Sequence, residues 1–125
     1  MRVLDTSVAV DHLRGHQPAT QLLDALLGSH VALVTSEVVR FELLAGARPA
    51  NEQALEMFLE VLDWVPVTEA VARRAAAFAR DFSGGHSGID TADYLIAATA
   101  TVLDAPLLTT NVRHFPMLDG LARPY

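Results

Sequence analysis

Three carboxylates occupy places in this chain where charge is costly. Asp5 closes the apolar run Val3-Leu4-Asp5, Glu42 lies within the stretch Ser36 to Ala45, and Asp93 is the only charge between Thr91 and Leu103. An ionised carboxylate is expensive to desolvate unless something pairs with it or coordinates it. Three such groups, far apart in sequence but gathered by a fold, make a site for a hard divalent cation. Mg²⁺ and Mn²⁺ both suit all-oxygen ligands. Such ions activate water and stabilise charge on a phosphodiester under in-line attack.

Helical geometry separates the acids further. At about 100° per residue, Glu42 falls between Val38 and Val39 and faces an apolar sector. Glu37 falls near Arg40, on the solvent side. Asp93 sits on its wheel between Ile96, Ala97 and Ala100, and the alanines leave space for a ligand or a neighbouring backbone. Asp90, one turn earlier, lies near Asp93 if the helix has begun by then. Each acid also has a structural reading. Asp5, Asp90 and Asp93 suit helix caps or first-turn positions, and Glu42 suits a salt bridge to an arginine.

The elements that must position these groups follow from apolar runs and their punctuation. Strands are expected at Val3–Asp5, Val31–Val34, Trp64–Val67 and Pro106–Thr109. Helices are expected over Ser7–Leu13, Pro18–Leu27, from Thr35 or Ser36 to Ala45, from Asn51 to Leu62, from Thr68 to about Phe82, and from Asp90 or Thr91 to Leu103. Ser83 to Gly88 reads as a flexible loop, and the chain ends in short irregular pieces. Continuous apolar strands alternating with helices indicate an α/β fold, with a mostly parallel central sheet covered on both faces. Ligands in such folds collect at the carboxyl ends of the strands, where Asp5 and Asn111 fall.

At 125 residues and 51% hydrophobic, the chain is expected to form one domain with a real core. No stretch is long enough to span a bilayer, and the N-terminus reads as a strand rather than a signal peptide. The absence of cysteine excludes disulfides and thiolate metal sites and fits a cytoplasmic protein. The net charge of −6 argues against tight non-specific binding of nucleic acid through bulk charge. It does not exclude an enzyme acting on nucleic acid, because a bound cation reverses the local field. All nine basic residues are arginine, which excludes mechanisms needing lysine. His12 and His16 lack a completing acid for zinc. His86 and His114 read as loop histidines near candidate site segments. Gly-x-Ser-x-Gly, P-loop and dinucleotide fingerprints are absent.

Several segments carry a family resemblance. Val3-Leu-Asp-Thr-Ser-Val8 is similar to the start of a PIN domain, as is Phe41-Glu-Leu-Leu-Ala-Gly46. Asp93-Tyr-Leu-Ile-Ala-Ala-Thr-Ala100, followed by Leu107-Leu-Thr-Thr-Asn-Val-Arg-His-Phe115, resembles the VapC toxins of bacterial toxin–antitoxin modules. The resemblance runs through nearly the whole chain. It implies a single PIN domain over residues 1–125 with a three-layer α/β fold. It implies a Mg²⁺- or Mn²⁺-dependent endoribonuclease, with RNA as substrate, working as a homodimer and neutralised by a VapB-type antitoxin. Asp5, Glu42 and Asp93 would be its core acids, and Asn111 the fourth catalytic and metal-binding position. His114 departs from the pattern, since an Asp commonly precedes that Phe. The antitoxin would use the apolar helices before Leu62 and could send an arginine into the acids.

Two other functions compete. A Mg²⁺-binding receiver domain has similar length and acids, but its phosphoacceptor chemistry uses a lysine that this chain lacks. A PIN-like binding module that has lost its chemistry is kept open by His114 and opposed by Asp5, Glu42 and Asp93.

Overall fold

The computed structural model describes residues 1–84 and 88–125. Four short strands form the sheet: β1 (Arg2–Leu4), β2 (Leu33–Ser36), β3 (Asp63–Val65) and β4 (Leu107–Leu108). Their order is β3-β2-β1-β4, and every described pairing is parallel. Val3 is opposite Val34 on one side and Leu107 on the other. Parallel neighbours need crossovers, which put helices on the sheet faces. The helices are α1 (Thr6–Leu13), α2 (Gln17–Gly28), α3 (Glu37–Ala45), α4 (Glu52–Val61), α5 (Glu69–Phe82) and α6 (Thr91–Leu103). The expected α/β sheet flanked by helices is what the chain forms.

The core lies between sheet and helices. Val3, Leu4, Val8, Leu33, Val39, Ile96, Ala97 and Phe115 are all buried within it. A second, smaller cluster joins Val71 and Ala75 of α5 to Tyr94 and Ala98 of α6. Emptying the Phe115 site by substitution with alanine would cost about 3–5 kcal/mol.

Helix starts follow local capping chemistry. The Ser36 hydroxyl accepts from Val38 N at 3.1 Å and that of Thr68 from Val71 N at 3.2 Å. Asp90 and Asp93 form a reciprocal capping box at the start of α6. Gly15, at φ +81°, takes the left-handed turn that ends α1 and that a side chain would strain.

Element bounds differ from expectation where apolar character and hydrogen bonding part company. The second strand begins at Leu33 rather than Val31 and runs on through Thr35 and Ser36. Thr35 tolerates complete burial because its hydroxyl donates to the Leu4 carbonyl at 2.8 Å. The third strand stops at Val65, before Pro66, which has no N–H to continue a ladder. Asn51 makes no side-chain cap; a 3-10 turn, Pro49–Asn51, leads into α4 instead. A second 3-10 turn, Val112–His114, follows β4. Of the loop expected at Ser83–Gly88, residues 85–87, with His86, lie outside the described residues.

Candidate functional site

The chain reverses its direction of winding at β1. β2 and β3 are laid on one side of it and β4 on the other, so a crevice opens at the carboxyl ends of β1 and β4. Asp5 follows β1 directly, and Thr109, Thr110 and Asn111 follow β4. A cleft of about 380 Å³ lies at this point, and Asp5, Glu42, Asp93 and Asn111 all line it, together with Asp90 and His114. The four residues singled out from sequence therefore meet in one place, from two strand ends and two helices.

Asp5 is the most firmly held. Only 4% of it is exposed. It stands at the N-cap position of α1, yet its side chain makes no capping bond. Its Oδ2 instead accepts from the hydroxyls of Ser7 and Thr109, each at 2.7 Å. Those hydroxyls are oriented in turn: Thr110 N donates to Ser7 Oγ at 3.0 Å and Asn111 N to Thr109 Oγ1 at 2.9 Å. Such chains polarise one another and fix the carboxylate. The network joins residues 104 positions apart, and sequence reading assigned Ser7 and Thr109 no role. Their only signal is the pair of hydroxyl doublets, Thr6-Ser7 and Thr109-Thr110, beside two strand ends.

Glu42 is half-buried on the cleft side of α3. Its Oε1 accepts from the Thr6 hydroxyl at 2.7 Å, and no arginine pairs with it among the described residues, so the salt-bridge reading fails. Glu37 behaves oppositely. Arg40 reaches both its oxygens, at 2.6 and 3.1 Å, and this hydrogen bonding lowers its pKa.

Asp93 has two duties. Its Oδ2 accepts from Asp90 N at 3.1 Å, closing the capping box, and lies 3.2 Å from His114 Nδ1. Asp90 returns the bond, accepting from Asp93 N at 2.9 Å. Burial pushes the Asp93 carboxyl up to about 6; the Asp90 N–H and His114 oppose the rise, and the nearby charges of Asp90 and Asp5 add to it. Asp90 is thus a cap that also borders the cleft, and His114, read as a loop histidine near the site, is a direct neighbour of Asp93.

One pattern unites the three acids. Asp5 Oδ2, Glu42 Oε1 and Asp93 Oδ2 are each held by neutral donors or by a histidine. Asp5 Oδ1, Glu42 Oε2 and Asp93 Oδ1 have no hydrogen-bond partner among the described residues, and none of these oxygens is sealed from solvent. The donor set is hard oxygen, the class preferred by Mg²⁺ and Mn²⁺. Among the described residues no group of three or more His, Asp or Glu side chains stands close enough, as placed, to hold one metal ion. Mg²⁺ does not require such a cage, because it keeps several waters and takes one or two carboxylates. The carboxylates present therefore fit a hydrated divalent ion.

Comparison with known proteins agrees with this fold. The PIN domain family model matches residues 2–121. The chain is 53% identical to Ribonuclease VapC19 of Mycobacterium tuberculosis over 125 residues, which is the full length of both. It is 39% identical to Ribonuclease VapC10 of the same organism over 126 residues, covering all of this chain and 93% of that one. Among solved structures it superposes on a toxin–antitoxin complex from Klebsiella pneumoniae with a TM-score of 0.83 at 24% identity, covering 100% of this chain and 98% of that one. The chain belongs to the PIN-domain family and, within it, to the VapC-type ribonuclease toxins.

Proposed function

We propose that residues 1–125 act as one PIN domain that hydrolyses RNA phosphodiester bonds internally with the help of Mg²⁺ or Mn²⁺. The carrying observation is the set of three carboxylates at the β1–β4 crevice, each held through one oxygen and open through the other. Asp5, Glu42 and Asp93 would hold the ion, with Asn111 supplying a neutral amide oxygen at the fourth position. When bound, a hard cation lowers the pKa of water and neutralises phosphate charge.

The chain's own residues do the rest. Ser7 and Thr109 keep the Asp5 carboxylate from rotating, and Thr6 does the same for Glu42. Neutral hydroxyls leave each acid its full charge, which an arginine would cancel. The capping box ties Asp93 to the first turn of α6, so a rigid helix sets its position. His114 borders the same carboxylate and is placed to donate to it or to a substrate oxygen.

The protein is a homodimer neutralised by a VapB-type antitoxin. Phe41 and Leu44 on α3, with Met57 and Val61 on α4, are exposed apolar side chains suited to protein partners. It acts in the cytoplasm, in keeping with the absence of cysteine; no described helix is long and apolar enough to cross a membrane.

The test is direct. The purified protein is incubated with RNA and Mg²⁺, and new RNA ends are mapped by sequencing. Internal cuts that appear with Mg²⁺ and stop on adding the cognate antitoxin are expected. Intact RNA at every divalent ion concentration would rule the reading out.

A further inference from the structure

All nine basic side chains are arginines, and the structure sorts them by what they already hold. Arg40 is bound to Glu37 and lies 4.0 Å from the Trp64 ring centre. Arg73 pairs with Glu69, and Arg74 lies over Phe78. Arg2 and Arg123 donate to backbone carbonyls of Met1 and Thr110. The remaining four, Arg14, Arg48, Arg80 and Arg113, make no hydrogen bond or ion pair among the described residues.

Two of these four share a cavity. Arg14 and Arg48 line a hollow of about 370 Å³ between α1, α3 and the start of α4. It adjoins the acidic cleft, since Val10, Arg14 and Glu42 line both. Arg80 and Arg113 line neither. Leu13, Leu43 and Leu55 line the same hollow. An uncommitted guanidinium beside a carboxylate-lined cleft is unexpected, because nearby acids ordinarily capture it. Arg14 and Arg48 thus present planar donor forks to whatever enters.

We propose that Arg14 and Arg48 bind the phosphodiester backbone of single-stranded RNA beside the bond held at the acidic cleft, making this hollow the groove that the substrate strand follows. The inference rests on the nuclease reading above. A protein with a net charge of −6 repels a polyanion unless local cations offset the field, and of the two free arginines Arg14 lines both the hollow and the acidic cleft, and Arg48 lines the hollow. Guanidinium forks match phosphate oxygens bidentately, while the leucines offer apolar contact to sugar or base. Such contacts position a strand without reading its sequence.

Arg14→Gln, Arg48→Gln and, as a control, Arg80→Gln are compared with the unaltered protein for cleavage of a short single-stranded RNA and for RNA binding over a salt series. Arg14→Gln and Arg48→Gln raise KM with kcat retained, the mark of lost uniform binding. Each also flattens the slope of log binding constant against log salt by about 0.7, the value for one phosphate contact on a single strand. Arg80→Gln matches the unaltered protein. Melting curves verify folding, which substitution of exposed arginines preserves. If the unaltered protein cleaves RNA and both variants keep its KM and salt slope, the groove assignment is overturned while the nuclease reading stands; losses confined to antitoxin binding overturn it in the same way. If the unaltered protein neither binds nor cleaves RNA, the nuclease reading falls and takes the groove with it.

Discussion

Glu37 and Glu42 stand on one helix, five residues and about 140° apart, and meet opposite fates. On the outer face, Glu37 is chelated through both oxygens by Arg40. On the cleft face, Glu42 is held through one oxygen by the Thr6 hydroxyl and leaves the other free. A guanidinium neutralises the acid it holds; a hydroxyl orients the acid and leaves its charge intact. The same distinction marks Asp5, bound by Ser7 and Thr109. The outward acid Glu37 is paired with arginine, whereas the cleft acids Asp5 and Glu42 are paired with hydroxyls and Asp93 with a backbone N–H and a histidine.

The strongest attempt to break this comparison is to withhold the cation. EDTA is expected to abolish RNA cleavage, and Mn²⁺ to restore it at least as well as Mg²⁺, since Mn²⁺ binds oxygen sites more tightly. Cleavage that persists in EDTA would show that the cleft acids serve some other chemistry. Next in size, Asp93→Asn is expected to reduce cleavage at least ~100-fold, given that loss of mere outer-shell partners of metal sites costs 10–100-fold. Full activity of the purified variant at ordinary Mg²⁺ would remove Asp93 from the site.

Glu42→Gln tests the cleft face of α3. It is expected to suppress cleavage by roughly 10–100-fold and to shift the Mn²⁺ titration to higher concentration. An inactive Glu37→Gln beside an active Glu42→Gln would reverse the comparison.

A smaller effect concerns stability. In metal-free protein the Asp93 carboxyl is raised from 3.8 to about 6. The folded state therefore binds more protons than the unfolded chain between these values, so this group's contribution to stability falls as pH rises through that window. Asp93→Asn removes the titration. The variant should gain stability relative to the parent as pH rises from about 4 to 6, then hold a constant advantage on the order of 1 kcal/mol, read from chemical denaturation in EDTA. A difference independent of pH would show that burial does not strain this carboxylate. Smallest of all is Glu37→Gln. Its exposed pair with Arg40 should be worth no more than about 0.5 kcal/mol, measured by the same denaturation at pH 7.

Much of this was legible in the chain, and the residues explain which parts. Helix starts could be read because Ser36, Thr68 and Asp90 act on N–H groups two or three residues away; capping is local. Strand ends were less legible, because Thr35 is buried through a bond to Leu4, 31 residues distant. Asp5, Glu42 and Asp93 stood out as charges among apolar neighbours, and one cleft gathers them with Asn111. The hydroxyls that orient them did not stand out. Ser7 and Thr109 are ordinary in any turn, and their joint meaning exists only once β1 and β4 pair. The capping duty of Asp93 was foreseeable from its spacing to Asp90. The contact with His114 was not, since it spans 21 residues and a strand.

The place of β4 in the sheet has a consequence for the life of the nascent chain. β4 is the last described strand to be synthesised, yet it lies against β1, the first. Thr109, whose hydroxyl locks Asp5, follows it immediately. A polypeptide still growing on the ribosome can carry all three acids and have no finished cleft. For an enzyme directed against RNA, the order of synthesis thus separates the making of the acids from the making of their setting: Asp5, Glu42 and Asp93 all precede the hydroxyl of Thr109 that fixes the first of them.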